Sequence, residues 1–355
     1  SPYDFNLSVT PQNGKAAPGG QITYTVSVTG SEGFSNLVGL TIQGLPEGFS
    51  SYFSPKTITS GQTSTLFITV CDCSISPLNL TITGSSTIEG QTVTRSASIS
   101  LEVLTPGITT LVGRVLDTDK WPIKNVTIRV GDSTRTTDES GNFVLENPPI
   151  GDQVVLIDGS TASAETAKYP TIPITMNIAP NQTNSLPYVP HLHAQKNYNF
   201  TPINPSVETI AEDPEIPDFQ LRIPAGVDII GWDGNPNTKV SIRKVPIDAL
   251  PVPPPPPGVQ GRTVYMFYFG KIGGGVPTTP IPVTVPNDLG LQPGEKAELW
   301  YFNESPNINE APNEWSMAGL GTVSEDGKTI STDPGVGIPR FCCGAILWGP
   351  IGQTV

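Results

Sequence analysis

Apolar and polar residues alternate through the first hundred positions. Ile22, Tyr24, Val26 and Val28 occupy every second place among Thr and Ser, as in a strand with one face in a core and the other in water. Val38, Leu40 and Ile42 repeat the pattern, as do Leu66, Ile68 and Val70, Leu78, Leu80 and Ile82, and Ala97, Ile99, Leu101 and Val103. Turn-forming residues punctuate the runs at Pro18-Gly19-Gly20, Leu45-Pro46-Glu47-Gly48, Ser60-Gly61 and Glu89-Gly90. About seven short strands at this spacing predict a two-sheet sandwich. We place it over residues 1–105.

Pro106-Gly107 marks the first boundary, and a second domain is expected over 106–187. A short strand opens at Gly113, and a polar turn at Thr137-Asp138-Glu139-Ser140-Gly141-Asn142 delivers Phe143 as a core anchor. Asp and Asn bond their own backbone in such turns, and Gly accepts positive φ. The third region, 188–355, is richer in proline. Pro251 to Gly258 is expected to be a stiff polyproline II segment. Val264 to Phe269 is apolar on both faces, which predicts a central, doubly covered strand.

Composition excludes several classes. Thirty-eight Pro and 36 Gly, with 14% charged residues, leave little room for helices, and only Ala164 to Tyr169 suits a single helical turn. The fold class is therefore all-β, as tandem β-sandwich domains. A net charge of −13 argues against nucleic acid, which calls for a basic footprint. No run approaches the length of an apolar membrane span. The chain begins Ser1-Pro2-Tyr3 with no basic and apolar leader, so a removed signal peptide or an excised fragment is expected.

Three resemblances follow from these motifs. Asn6 to Pro11, Pro18 to Val28, Gly44 to Gly48 and Phe53-Ser54-Pro55 resemble the immunoglobulin-like modules of bacterial secreted and surface proteins. Gly113, Val115, Pro122, Val126, Ile128, Thr137-Asp138, Gly141, Phe143 and Pro149-Ile150-Gly151 resemble the carboxypeptidase-regulatory, transthyretin-like domain, with Trp121 where that family usually has Gly. Leu221 to Gly226, the proline-rich loop, Pro282 to Asn287, Pro293 to Phe302 and Gly321 to Phe341 resemble the ZU5-like region that precedes the repeats of large bacterial Rhs/YD-repeat surface proteins. The resemblances imply three β domains in an extended row, structural in role.

Cysteine carries the unusual chemistry. Cys71 and Cys73 lie two apart and Cys342 and Cys343 are adjacent, allowing local or cross-domain disulfides. The spacing fits zinc poorly. ZU5-type domains that cut themselves do so at a His-Phe-Ser step. Arg340-Phe341-Cys342 stands here instead, and Arg cannot act as base, so no self-cleavage is expected. His191 and His193 read as solvated linker residues in a proline-rich connector, not as a metal pair.

The acidic loops at Asp117-Thr118-Asp119, Asp132, Asp138-Glu139 with Asn142, and Glu212-Asp213 match no calcium-loop pattern and read as turn caps. No cofactor is expected, one structural calcium aside, and no metal site is assigned. Trp232, in a turn-rich segment, is the candidate for stacking a carbohydrate. Trp300, Tyr301, Phe302, Trp315 and Trp348 extend that list but read more as core. Sequons occur at Asn6, Asn79, Asn125, Asn181, Asn199 and Asn303, which permit glycosylation.

No Ser-His-Asp or Cys-His arrangement is available with two His. The expected function is a non-catalytic, extracellular or cell-surface scaffold or stalk, stiffened by prolines at 187–190 and 202–205. Its expected partners are other domains of a larger surface protein or neighbouring copies. An adhesin or glycan-binding module is the first alternative. The second is a self-assembling extracellular fibre, whose subunits join by strand exchange at exposed sheet edges.

Overall fold

The computed structural model describes residues 3–162, 168–195, 199–256, 263–270, 273–303, 305, 307, 310, 313–341 and 346–350. The described elements are strands, with a 3-10 turn at Gly159–Ala162, and the fold is all-β. Among the described residues no helix is long and apolar enough to cross a membrane. The chain forms two compact units. One comprises Ser1–Arg114, Pro122–Gly151 and Asn177–Pro187; the other comprises Val115–Trp121, Asp152–Met176 and Tyr188–Val355.

The first unit opens with a sandwich. One sheet runs Phe5–Thr10, Gln21–Gly30, Thr63–Thr69, Ser50–Ser54; the other runs Asn13–Ala16, Gln91–Val103, Ile75–Ile88, Val38–Gln43, Thr57–Ile58. Period-2 alternation sends Ile22, Tyr24, Val26, Leu66 and Ile68 from one sheet against Leu40, Leu80, Ile82, Ile99 and Leu101 from the other, all at most 3% exposed. Burying a side chain of this size contributes about 1.5–3 kcal/mol, so the alternation fixes register. The predicted turn at Glu89-Gly90 has φ of 51° and 80°, the left-handed pair that closes a two-residue hairpin.

Beyond the sandwich, the same unit carries a three-stranded sheet of Asn142–Glu146, Thr110–Arg114 and Thr183–Ser185. Phe143 is buried in it as expected. Gly113 is required there: a Cβ would stand 2.8 Å from the Phe143 ring and 2.7 Å from Leu186. A hairpin of Thr127–Val130 and Ser133–Thr136 completes the unit.

The second unit is built on a ten-stranded sheet. Thr263–Tyr268, buried at every position, lies inside it between Lys239–Pro246 and Ile346–Pro350, matching the reading from its doubly apolar sequence. A sheet this wide curls, and Thr209–Asp213 near one end comes against Lys239–Pro246 near the other. Phe219, Tyr265, Phe267, Phe269 and Phe341 fill the enclosed core, with Phe341 edge-on to Phe267 and Phe269. Pro251 and Val252 are buried, and the Trp315 ring N–H donates to the Pro253 carbonyl at 2.9 Å.

Two expected connectors are part of the fold instead. Thr201–Pro202 is a strand paired with Lys239–Pro246, and the Pro190 carbonyl accepts from the Leu116 amide at 3.1 Å. Proline suits both places because neither asks it for an N–H.

Candidate functional site

The most elaborated polar site lies inside the first unit, where the polar turn meets the sandwich. Asp138 organises the turn: its Oδ1 accepts from the Ser140 and Asn142 amides at 2.9 and 3.0 Å. Gly141, with φ of 75°, takes the one left-handed position. Burial raises the Asp138 pKa, while the N–H donors pull it back. The carboxylate caps its own turn, as the residue pattern suggests.

The turn aims Ser140 and Asn142 at the sandwich. Phe5–Thr10 ends opposite Thr25, so the Thr23 amide and carbonyl lie beyond its last partner. The Asn142 side chain takes both: Oδ1 accepts from the Thr23 N–H at 3.2 Å, and Nδ2 donates to the Thr23 carbonyl at 2.8 Å. One carboxamide thus supplies what a further strand residue would give, since it carries the same donor and acceptor as a peptide group. Oδ1 also accepts from Thr23 Oγ1 at 2.7 Å.

Ser140 Oγ donates to the Thr10 carbonyl at 2.8 Å and lies 3.0 Å from Thr25 Oγ1. Arg114 Nε donates to the Ser140 carbonyl at 2.9 Å while its guanidinium lies 6.0 Å from the Phe67 ring centre. Thr183 Oγ1 donates to the Pro18 carbonyl at 2.8 Å, and Lys15 pairs with Glu146 at 2.6 Å. Ala17, Leu104, Val112 and Val144 form an apolar patch within the same junction. Residues far apart in sequence are thereby locked in one orientation.

A second buried polar cluster occupies the second unit. Arg243 Nη1 pairs with Asp213 at 3.0 Å, with side chains 10% and 0% exposed. Asn199 Nδ2 donates to the same carboxylate at 2.8 Å, Arg243 Nε donates to the Ala194 carbonyl at 3.2 Å, and Ser241 bonds Gln195. Among the described residues, His193 Nδ1 and Nε2, Gln195 Nε2, Asn199 Oδ1 and Arg243 Nη2 have no hydrogen-bond partner. His193 is buried, not solvated as the connector reading held, and burial lowers its pKa to about 3, with Arg243 acting in the same direction. His191 is half-buried in a two-residue strand beside Leu116.

The other candidates are scattered. Cys71 and Cys73 form a disulfide with each other; Cys342 and Cys343 lie outside the described residues. Asn6, Asn79, Asn125 and Asn181 are exposed, and Asn303 is half-buried. Asn199 is buried and bonded to Asp213, so it presents no open acceptor for a glycan.

Trp232 is half-buried. Its ring packs so closely on Gly273 that a Cβ there would overlap it, and Arg340 lies 5.8 Å from the ring centre. Trp315 and Trp348 are buried, Phe302 packs edge-on against Trp315, and Trp300 Nε1 donates to Glu298. These rings do not assemble into an exposed platform. Among the described residues no three His, Cys, Asp or Glu side chains are placed to hold a metal ion. Asp117 receives the amides of Asp119 and Trp121, and Glu212 accepts from Gln220.

No protein-family model matches the chain, and no curated protein sequence does. Solved structures align with parts of it. The BIgI domain of beta protein from S. agalactiae, bound to CEACAM1, aligns over 29% of this chain and 98% of its own at 14% identity and a TM-score of 0.20. The Salmonella enterica SafA pilin in complex with the SafB chaperone gives 49%, 96%, 13% and 0.22. Domains 5-6 of the S-layer protein SbsC give 49%, 97%, 11% and 0.24. Identities and TM-scores this low bear on neither activity nor partner.

Proposed function

We propose that this chain is a non-catalytic structural segment of a secreted or cell-surface protein. In this reading its sandwiches hold attached domains or neighbouring copies at fixed separation and orientation. The carrying observation is the bonded junction in the first unit. A flexible tether has no use for a carboxamide that completes the hydrogen bonding of Thr23, or for a serine tied to Thr10 and Thr25. Buried bonds of this kind contribute about 1 kcal/mol each and penalise any rotation that strands a partner. The Cys71–Cys73 disulfide supports an oxidising, exported setting. The later modules are assigned, on their motif residues, to the carboxypeptidase-regulatory-like and ZU5-like types.

Pulsed electron spin resonance between labels at Thr92 and Arg135, both exposed residues of the first unit, tests the rigid role. A single narrow distance distribution is expected, broadened by Asn142→Ala with Ser140→Ala. A broad distribution in the parent chain would remove the basis for the reading.

A further inference from the structure

An open cleft adjoins the junction, walled by Pro18 and Asp72 of the sandwich, by Pro106 and Ile108, and by Gln182 and Ser185. Its volume of about 410 Å³ falls within the roughly 300–1,000 Å³ of small-molecule sites, which favour places where domains meet. The walls are held in place. Asp72 sits inside the ring closed by the Cys71–Cys73 disulfide, and the Gly19 amide donates to the Cys71 carbonyl at 3.0 Å. On the facing wall, the buried Asn184 carboxamide bonds the Ala179 amide and the carbonyls of Ala179, Gln182 and Thr110. The bond from Thr183 to the Pro18 carbonyl, 2.8 Å long, ties the two walls together. Gly19 and Gly107 have φ of 69° and 90° with nothing within 4 Å of where a Cβ would stand, so the turns leave the space clear.

The lining selects a ligand class. Among the described lining residues Asp72 is the one charged side chain, with no Lys, Arg or His. A carboxylate without a cation disfavours anions and accepts strong bonds from O–H and N–H donors. Gln182 and Ser185 add groups that both donate and accept, while Pro106 and Ile108 offer C–H surface. We infer that this cleft binds a neutral or amino-substituted saccharide of one or two rings, its hydroxyls on Asp72 and Gln182 and its apolar face on Pro106 and Ile108. This goes beyond the scaffold role and uses none of the aromatic candidates.

Methyl glucoside, maltose, glucosamine and glucuronate, titrated into the intact chain with amide chemical shifts as readout, test it. Saturable binding of one or more of the first three at a Kd of about 1 mM or tighter is expected, with glucuronate roughly tenfold weaker. Asp72→Asn should weaken binding by about tenfold, and Gln182→Trp, which fills the cleft from an exposed position, should abolish it. The second variant keeps the test sound if the first disturbs the disulfide ring. Absence of saturable binding by every probe would overturn the inference. So would binding that survives both changes, that disappears on Trp232→Ala instead, or that favours glucuronate.

Discussion

The molecule carries two buried polar networks, and they are built on opposite principles. In the first unit every polar atom of the Asn142 carboxamide is bonded, to Thr23 on one side and to Asp138 on the other. In the second, His193, Gln195, Asn199 and Arg243 each keep a buried atom with no hydrogen-bond partner among the described residues, and the ion pair between Arg243 and Asp213 anchors the whole. A satisfied network has one low-energy arrangement, so it fixes geometry. A partly satisfied one leaves unpaired polar groups in a low-dielectric interior, where each is costly.

Breaking the anchor of the second network should give the largest effect. Among the described residues, Asp213→Ala leaves the buried Arg243 with Glu215 as its one acidic partner, 3.6 Å away and half in water. Stranding a buried charge in this way costs about 3–5 kcal/mol. Urea denaturation should show that loss, and a change below about 1 kcal/mol would mean that the pair relaxes into solvent. In the first network, Asn142→Ala strands the Thr23 amide, carbonyl and hydroxyl together. The expected loss is about 3 kcal/mol, from unmade bonds at about 1–3 kcal/mol per buried group. Asn142→Asp should be no better, because it loses the donor to the Thr23 carbonyl and sets a second carboxylate beside Asp138. Equal stability of the parent and Asn142→Ala would erase the contrast between the networks.

Much of this architecture is legible in the chain itself. Period-2 alternation locates the sandwich strands, and the unbroken apolar run from Val264 to Phe269 identifies an interior strand, because burial on both faces admits nothing polar. The roles of Ser140 and Asn142 were hidden for a physical reason. Turn chemistry already accounts for Ser, Gly and Asn after Asp138, so nothing in the residue types signals a second set of bonds to Thr10, Thr23 and Thr25. The signal that exists is indirect: Gln21–Gly30 outruns Phe5–Thr10, which leaves Thr23 in need of a partner. His193 misled for a similar reason. Flanking prolines resemble a linker, yet proline also serves at sheet margins where no N–H is needed.

Acid should separate the networks next. His193 has a pKa of about 3 in the folded chain, against an ordinary value of about 6.5. Above the ordinary value both folded and unfolded forms are neutral, and the stability is fully present. As pH falls below it, the unfolded chain takes up the proton and the folded chain does not. Stability therefore declines through the window down to about pH 3, by roughly 2 kcal/mol at pH 5, given 1.36 kcal/mol per unit. Denaturant midpoints of the parent and His193→Phe, compared at pH 7.5 and about pH 5, measure this. The parent should lose stability that the variant keeps. An identical pH response in both would show that His193 reaches water before it is protonated.

The smallest expected effect lies at the rim of the junction. Lys15 and Glu146 pair at 2.6 Å, but their side chains are 31% and 35% exposed. Solvent screens such pairs to about 0–1 kcal/mol. Lys15→Met should therefore cost only a few tenths of a kcal/mol at low salt, and nothing measurable near 1 M, where the screening length falls to about 3 Å. Orientation at the junction should survive the change, because the bonds of Asn142 and Ser140 are buried and insensitive to salt. If Lys15→Met loosened the junction as much as Asn142→Ala does, the ion pair would be carrying the orientation, and the carboxamide beside it would be no more than a well-placed turn residue.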